Sequence, residues 1–261
     1  MAIIDKPKDH PFFSEKDNIG ILLVNLGTPE GTDYWSMRKY LKQFLMDKRV
    51  VDIFRPLWWL ILNGPILTFR PSKSGKAYQK IWDKDNHGSP LRKFTINQTS
   101  KLKKIFESYK NISIEYAMRY GTPEIEKTLN KMTKKGCSKI LLVPLYPQYS
   151  AITSATVKDE VFKWMLKQRW QPDLRTIAPW FDNNNYIKAL KSIRAKTILM
   201  PCNQDLYFRT KDNEYENKYI AKSSLRPIDS SFGHCAANPV SYTHLRAHET
   251  GRNLVCRLLL E

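Results

Sequence analysis

The chain reads as an α/β protein: a parallel sheet with helices on both faces, followed by a second half that is incomplete. Two observations carry this. Continuous apolar runs of strand length recur, as expected of strands buried on both faces. Between them lie apolar residues at helical spacing, and strand–helix alternation builds a parallel sheet. The first run, residues 18–26 (NIGILLVNL), ends in the turn signal Gly27-Thr28-Pro29. Asp33 can cap the next helix, where Tyr34, Met37, Tyr40, Leu41, Phe44 and Leu45 recur on one face. Strands are predicted at 112–118, 139–145 and 174–178, with helices at 123–134, 154–169 and 184–195 between and after them. A last short strand is expected at 205–208. Beyond it no strand or helix period is sustained. The expected organisation is therefore an N-terminal extension (1–17), a first α/β domain (18–170), the start of a second (171–208) and a tail (209–261). Within that tail, residues 241–261 read as vector- or assembly-derived and are set aside.

The 261 residues, 42% hydrophobic and 26% charged, suffice for a packed core without disulfide or metal staples. No run reaches the roughly 18 apolar residues that a membrane-spanning helix needs, and the N-terminus has no apolar stretch of the secretory kind. With Lys+Arg at 43 against Asp+Glu at 25, the net charge is +18. That excess fits an anionic substrate, an anionic membrane surface or a nucleic acid, and a Lys-, Asn- and Ile-rich genome composition accounts for it equally well. The charge is diffuse, and no zinc-finger spacing accompanies it, so a nucleic-acid partner is not expected. Cys137, Cys202, Cys235 and Cys256 are scattered, as suits a reducing cytoplasm. His244 and His248 have helical ligand spacing, but Leu245 stands where a zinc-protease helix needs Glu, so no metal site is assigned to the tail.

In parallel sheets ligands sit beyond the carboxyl ends of the strands. Those ends here read Leu26-Gly27-Thr28-Pro29, Arg119-Tyr120-Gly121-Thr122-Pro123 and Tyr146-Pro147-Gln148-Tyr149-Ser150. No glycine-rich nucleotide loop follows any of them. The residues are aromatic, hydroxylic and cationic. Together with Arg70 and the loop Gly88-Ser89-Pro90 they suit a flat apolar ligand bearing carboxylates. Any one of these residues alone reads as an ordinary strand-end residue; the case rests on their recurrence at successive strand ends. Residues 53–69 (IFRPLWWLILNGPILTF) are the most unusual segment. Arg55, Asn63, Gly64 and Pro65 interrupt it, so it cannot cross a bilayer. Core packing is the first expectation. An apolar lip beside a ligand, or a shallow membrane contact, is the functional one.

The motifs ILLVNLGTP (21–29), RKYLKQFLMDKRVVD (38–52), RPLWW (55–59), HGSPL (87–91), MRYGTP (118–123), VPLYPQYSAITSA (143–155) and the 180–190 run resemble, in collinear order, the ferrochelatase family of bacterial type. The resemblance covers about residues 18–208. It implies two Rossmann-like halves of the chelatase kind with the porphyrin in the cleft between them, and an enzyme that inserts Fe²⁺ into protoporphyrin IX in haem biosynthesis. It implies substrate contacts at Leu26, Arg70, Tyr78, Ser89, Arg119, Tyr120, Tyr146, Gln148 and Ser150, with Arg119 and Tyr120 near the metal path and Tyr120 as the metal residue. It implies no required cofactor, since iron is a substrate. It also implies a cytoplasmic protein with a peripheral contact to the inner membrane through residues 53–69, which raises the lip reading for part of that segment.

The sequence departs from the family at its catalytic centre. The expected His-Gly-Pro type motif should follow the strand at 205–208, where Arg209-Thr210-Lys211-Asp212 stands instead. The expectation is a chain truncated or frameshifted after about residue 208 and inactive as written, with no catalytic residue identified. A non-catalytic porphyrin- or haem-binding module is the alternative. A cobalt-inserting relative shares the fold, but LYPQYS and RYGTP argue for the iron enzyme. The tail holds only 8 basic and 6 acidic residues, so nearly all the positive excess belongs to residues 1–208.

Overall fold

A computed structural model describes residues 18–83, 88–204 and 209–229. It divides into two units, Met1–Pro179 and Trp180–Glu261. In the first, four parallel strands, β1 (Asn18–Gly27), β2 (Ile112–Tyr120), β3 (Cys137–Pro144) and β4 (Asp173–Thr176), lie in the order β2-β1-β3-β4. β4 thus completes the first sheet, and the division falls after Pro179 rather than at residue 171.

The central strand explains its own sequence. Being paired on both edges and covered on both faces, β1 has no solvent side and carries no polar alternation. Leu22 and Val24 join Ile140 and Leu142 of β3 on one face, and Ile21 and Leu23 join Ile114 of β2 on the other. The first face is covered by α5 (Ile125–Lys134) and α6 (Thr156–Lys167). α5 buries Ile125, Thr128, Leu129 and Met132, and α6 buries Val157, Val161 and Trp164, both at helical spacing. The Trp164 indole N–H, buried with the ring, donates to Asn130 Oδ1 at 2.8 Å. The other face is covered by α4 (Pro90–Ile105), whose Leu102, with Phe106 just after it, packs against Ile21 and Leu23. α4 starts at Pro90, where a missing N–H costs nothing.

A second core forms among the helices after β1. α1 (Tyr34–Met46) is capped as its sequence predicts: Asp33 Oδ1 accepts from the N–H groups of Trp35 and Ser36, both at 3.0 Å. Met37, Leu41 and Leu45 meet Trp58, Leu62 and Leu67. Those last three come from α2 (Arg55–Ile61), a π-helical turn (Leu62–Ile66) and α3 (Leu67–Gln79). The turn is kinked at Gly64, whose backbone is non-helical, followed by Pro65. Asn63 Nδ2 and Thr68 Oγ1 donate to the nearby carbonyls of Trp59 and Gly64, at 2.8 and 2.6 Å. Residues 53–69 divide between core and surface. Trp58, Leu62 and Leu67 pack inward, while Phe54 and Phe69 are each 74% exposed and Leu57, Trp59 and Leu60 also face out. Among the described residues, no helix is long and apolar enough to cross a membrane.

The second unit holds α7 (Asn184–Lys191), β5 (Thr197–Leu199), α8 (Thr210–Asn217) and β6 (Ser223–Leu225). β5 and β6 pair in parallel, and Cys202 bridges to Ile228 beyond them. This corrects the expectation that regular structure ends at Phe208: a β-α-β crossover runs through to residue 225. α8 buries none of its side chains, so it carries no apolar period to read. β5 is only three residues long. The strand expected at 205–208, the tail histidines and His87 lie outside the described residues.

Candidate functional site

The sheet order reverses direction at β1, between β2 and β3, which makes the carboxyl ends of these strands the place for a ligand. Two Gly-Thr-Pro turns close on each other there. Gly27 has φ +107°, and a Cβ on it would lie 1.7 Å from the Tyr120 carbonyl oxygen; Gly121 has φ +90°, and its Cβ would lie 2.5 Å from the Thr28 carbonyl oxygen. Only glycine allows either turn. Glu30 fastens the pair: its Oε1 accepts from the Thr122 hydroxyl at 2.5 Å, the Thr122 N–H at 3.2 Å and Arg92 Nη2 at 2.9 Å.

Tyr120, at the end of β2, is 1% exposed. The Phe44 and Tyr120 rings meet edge-to-face at 5.1 Å between centroids, and the Arg119 guanidinium lies 4.5 Å from the Tyr120 centroid. Its hydroxyl donates to Asp47 Oδ2 at 2.9 Å, and Arg119 Nη2 donates to the same oxygen at 2.5 Å. The other Asp47 oxygen, Oδ1, accepts from the Arg49 N–H at 2.9 Å. Glu160 of α6 approaches Arg119 from further off, at 3.4 Å, and the Arg49 side chain pairs with Asp159. Burial pushes the Tyr120 phenol well above its ordinary range, and Asp47 adds to this against the opposing pull of Arg119. In this geometry the phenol donates its proton to Asp47.

Tyr146 stands beside this group. Burial drives its hydroxyl far above the usual phenol range; the neighbouring Tyr120 adds to the shift and Arg119 opposes it. Its buried oxygen finds no hydrogen-bond partner among the described residues, nor does Arg119 Nε. Tyr40 of α1 donates to the Gly27 carbonyl at 3.3 Å and is hydrogen-bonded to Tyr78. Burial, and after it the nearby Tyr78, Tyr146 and Tyr120, push the Tyr40 phenol well above its ordinary range.

Of the residues expected from the sequence, Arg119, Tyr120, Tyr146 and Tyr78 come together here. Leu26 is half-buried in β1, one residue before the Gly27 turn. Ser89 is buried at the start of α4, and its side chain makes no cap hydrogen bond. Ser150 is engaged locally, accepting from the Ile152 N–H at 3.3 Å to start the π-helical turn Ala151–Ala155 that precedes α6. Gln148 is half-buried in the same connection, and Arg70 is exposed on α3. Among the described residues no three His, Cys, Asp or Glu side chains gather as a metal site.

Sequence reading missed Asp47, Tyr40 and Phe44. Asp47 carried a usable signal. It is the C-cap of α1, the negative end of a helix, where a carboxylate is unfavourable unless cations answer it.

A parallel sheet whose order reverses at β1, with aromatic and arginine residues at its strand ends, is an α/β architecture of the switch-point kind. The family model described as ferrochelatase matches residues 18–205. The chain is 51% identical over 184 residues to a ferrochelatase of Allorhizobium ampelinum, covering 70% of this chain and 53% of that one. It is 49% identical over 185 residues to one of Rhizobium etli, covering 71% and 54%. With one from Chelativorans sp. it shares 46% over 189 residues, covering 72% and 53%. The chain belongs to the ferrochelatase family. It spans about half the length of these curated relatives.

Proposed function

We propose that the strand-end site of the first unit holds protoporphyrin IX, in a chain built for the insertion of Fe²⁺ that completes haem. The observation that carries this is the convergence of Arg119, Tyr120, Tyr146 and Tyr78 at the ends of β1 to β3, with Arg119 fixed over the Tyr120 ring. Phenol and phenyl faces suit a flat macrocycle, and guanidinium suits its carboxylates. Family membership over residues 18–205 supports the same reading. These residues grip and orient the ring, so that binding energy along its surface offsets the bending that exposes pyrrole nitrogens. Removing the pyrrole protons needs a base. The first His after β5 is His234, and the His-Gly-Pro motif is not found between. We therefore assign this chain the binding step without metal insertion. The reading invokes no resident cofactor; iron is substrate.

The exposed Phe54, Leu57, Trp59, Leu60 and Phe69 favour a peripheral membrane contact by the same segment, which sedimentation with anionic vesicles checks. The main test is anaerobic mixing of the purified chain with free-base protoporphyrin and Fe²⁺. A shifted Soret band with the metal-free visible spectrum retained supports the proposal. Conversion to the metallated spectrum above the uncatalysed rate contradicts the assignment of binding alone, and an unshifted Soret band contradicts the site.

A further inference from the structure

We propose that Asp47 is a positioning residue that sets the orientation of Arg119 and Tyr120 for the bound ligand. The proposal rests on the porphyrin reading above and goes beyond it by naming what builds the recognition surface. One oxygen, Asp47 Oδ2, takes both the Arg119 guanidinium and the Tyr120 hydroxyl, at 2.5 and 2.9 Å. Two donors on adjacent residues of a strand point to opposite faces of a sheet unless something gathers them. A shared acceptor does so here, and it brings the guanidinium to 4.5 Å from the phenol ring centroid. The same turn of α1 supplies the second restraint, because Phe44, three residues before Asp47, packs its ring perpendicular to the Tyr120 ring. The last turn of α1 thus fixes both the ring and the hydroxyl of Tyr120.

Nothing about an acid at this place favours the helix itself. Asp47 sits at the negative end of α1, yet its side chain is only 10% exposed and its partner Arg119 only 11%. Its other oxygen is taken by the Arg49 N–H, which locks the carboxylate in rotation. With Nη2 held by Asp47, Arg119 leaves its Nε edge as the unpartnered donor. Asp47 therefore fixes how the guanidinium lies over the Tyr120 ring. Glu160, at 3.4 Å, is placed to neutralise charge rather than to set this geometry.

The test uses the full chain and three variants, Asp47→Asn, Asp47→Glu and Tyr120→Phe. Without ligand, the near-ultraviolet circular dichroism of buried tyrosine reads the clamp. With free-base protoporphyrin, induced Soret circular dichroism reads the orientation of the ring, which an achiral porphyrin shows only when held in one pose. Asp47→Asn keeps an acceptor but loses the charge that holds Arg119. It is expected to keep the far-ultraviolet spectrum, weaken the near-ultraviolet band and abolish most of the induced Soret signal, while still binding porphyrin. Asp47→Glu restores part of that signal. Tyr120→Phe removes one hydroxyl from an otherwise intact core, so it serves if Asp47→Asn does not fold, and it is expected to reduce the induced signal. An induced signal and a near-ultraviolet band unchanged in both Asp47→Asn and Tyr120→Phe overturn the proposal. If the parent chain itself shows no induced Soret signal, the porphyrin reading and its positioning consequence both fall, while the ligand-free band still shows whether the clamp exists.

Discussion

β2 carries two charge clusters of opposite construction. Near its end, the strand supplies the cation: Arg119 is buried and meets Asp47 of α1 and, more loosely, Glu160 of α6. In its middle, the strand supplies the anion: Glu115, 14% exposed, meets Lys103, Lys131 and Lys135, each more than half exposed. The first cluster has one acceptor oxygen serving two donors in a fixed arrangement. The second has three flexible ammonium groups sharing one carboxylate, any of which can replace another. Buried and singly determined, the first can set the pose of a ligand. Exposed and redundant, the second can only adjust stability and solubility.

The comparison breaks most visibly at Asp47. Asp47→Ala leaves the partly buried Arg119 only its looser contact with Glu160 and removes the acceptor of the Tyr120 hydroxyl, and a loss of about 2–3 kcal/mol of folding stability is expected in denaturant titration. A loss below about 1 kcal/mol would place that pair in the same class as the exposed one.

Glu115 gives the middle-sized effect. Burial raises its pKa, but Lys135, Lys131 and Lys103 outweigh burial and hold the carboxyl below its ordinary range. A depressed carboxyl contributes stability above its unfolded pKa and loses it as pH falls through the folded one. Glu115→Gln is therefore expected to cost on the order of 1 kcal/mol near neutral pH. The gap to the parent should close on acidification, as followed by thermal unfolding against pH. The smallest effect is expected of Lys131→Ala, within about 0.5 kcal/mol, because Lys103 and Lys135 remain on Glu115. A larger change would show that the lysines are not interchangeable.

The same contrast separates what the sequence makes legible from what it hides. β1 and β3 were readable because burial on both faces demands an unbroken apolar run. α1 was readable from Asp33 and its apolar period, and α5 and α6 from theirs. The Gly-Thr-Pro turns were visible as turns, but their mutual packing was not, since Gly27 and Tyr120 meet only in the folded sheet. Asp47 and Arg119 are 72 residues apart and share no local pattern. Their pairing follows from strand order, which places the end of β2 under the last turn of α1. α8 escaped because a helix that buries nothing needs no period, and β5 because three residues define none.

Titration of the chain with free-base protoporphyrin, followed by the Soret band, should give saturable binding of one porphyrin per chain. Arg119→Ala should weaken it by about tenfold or more, matching the loss of a charge-assisted contact. Substituting the outward-facing Phe54 and Phe69 by Ser should leave it nearly unchanged. Binding that survives Arg119→Ala but disappears with the two Phe→Ser changes would contradict the strand-end site and move the porphyrin to the helical lip.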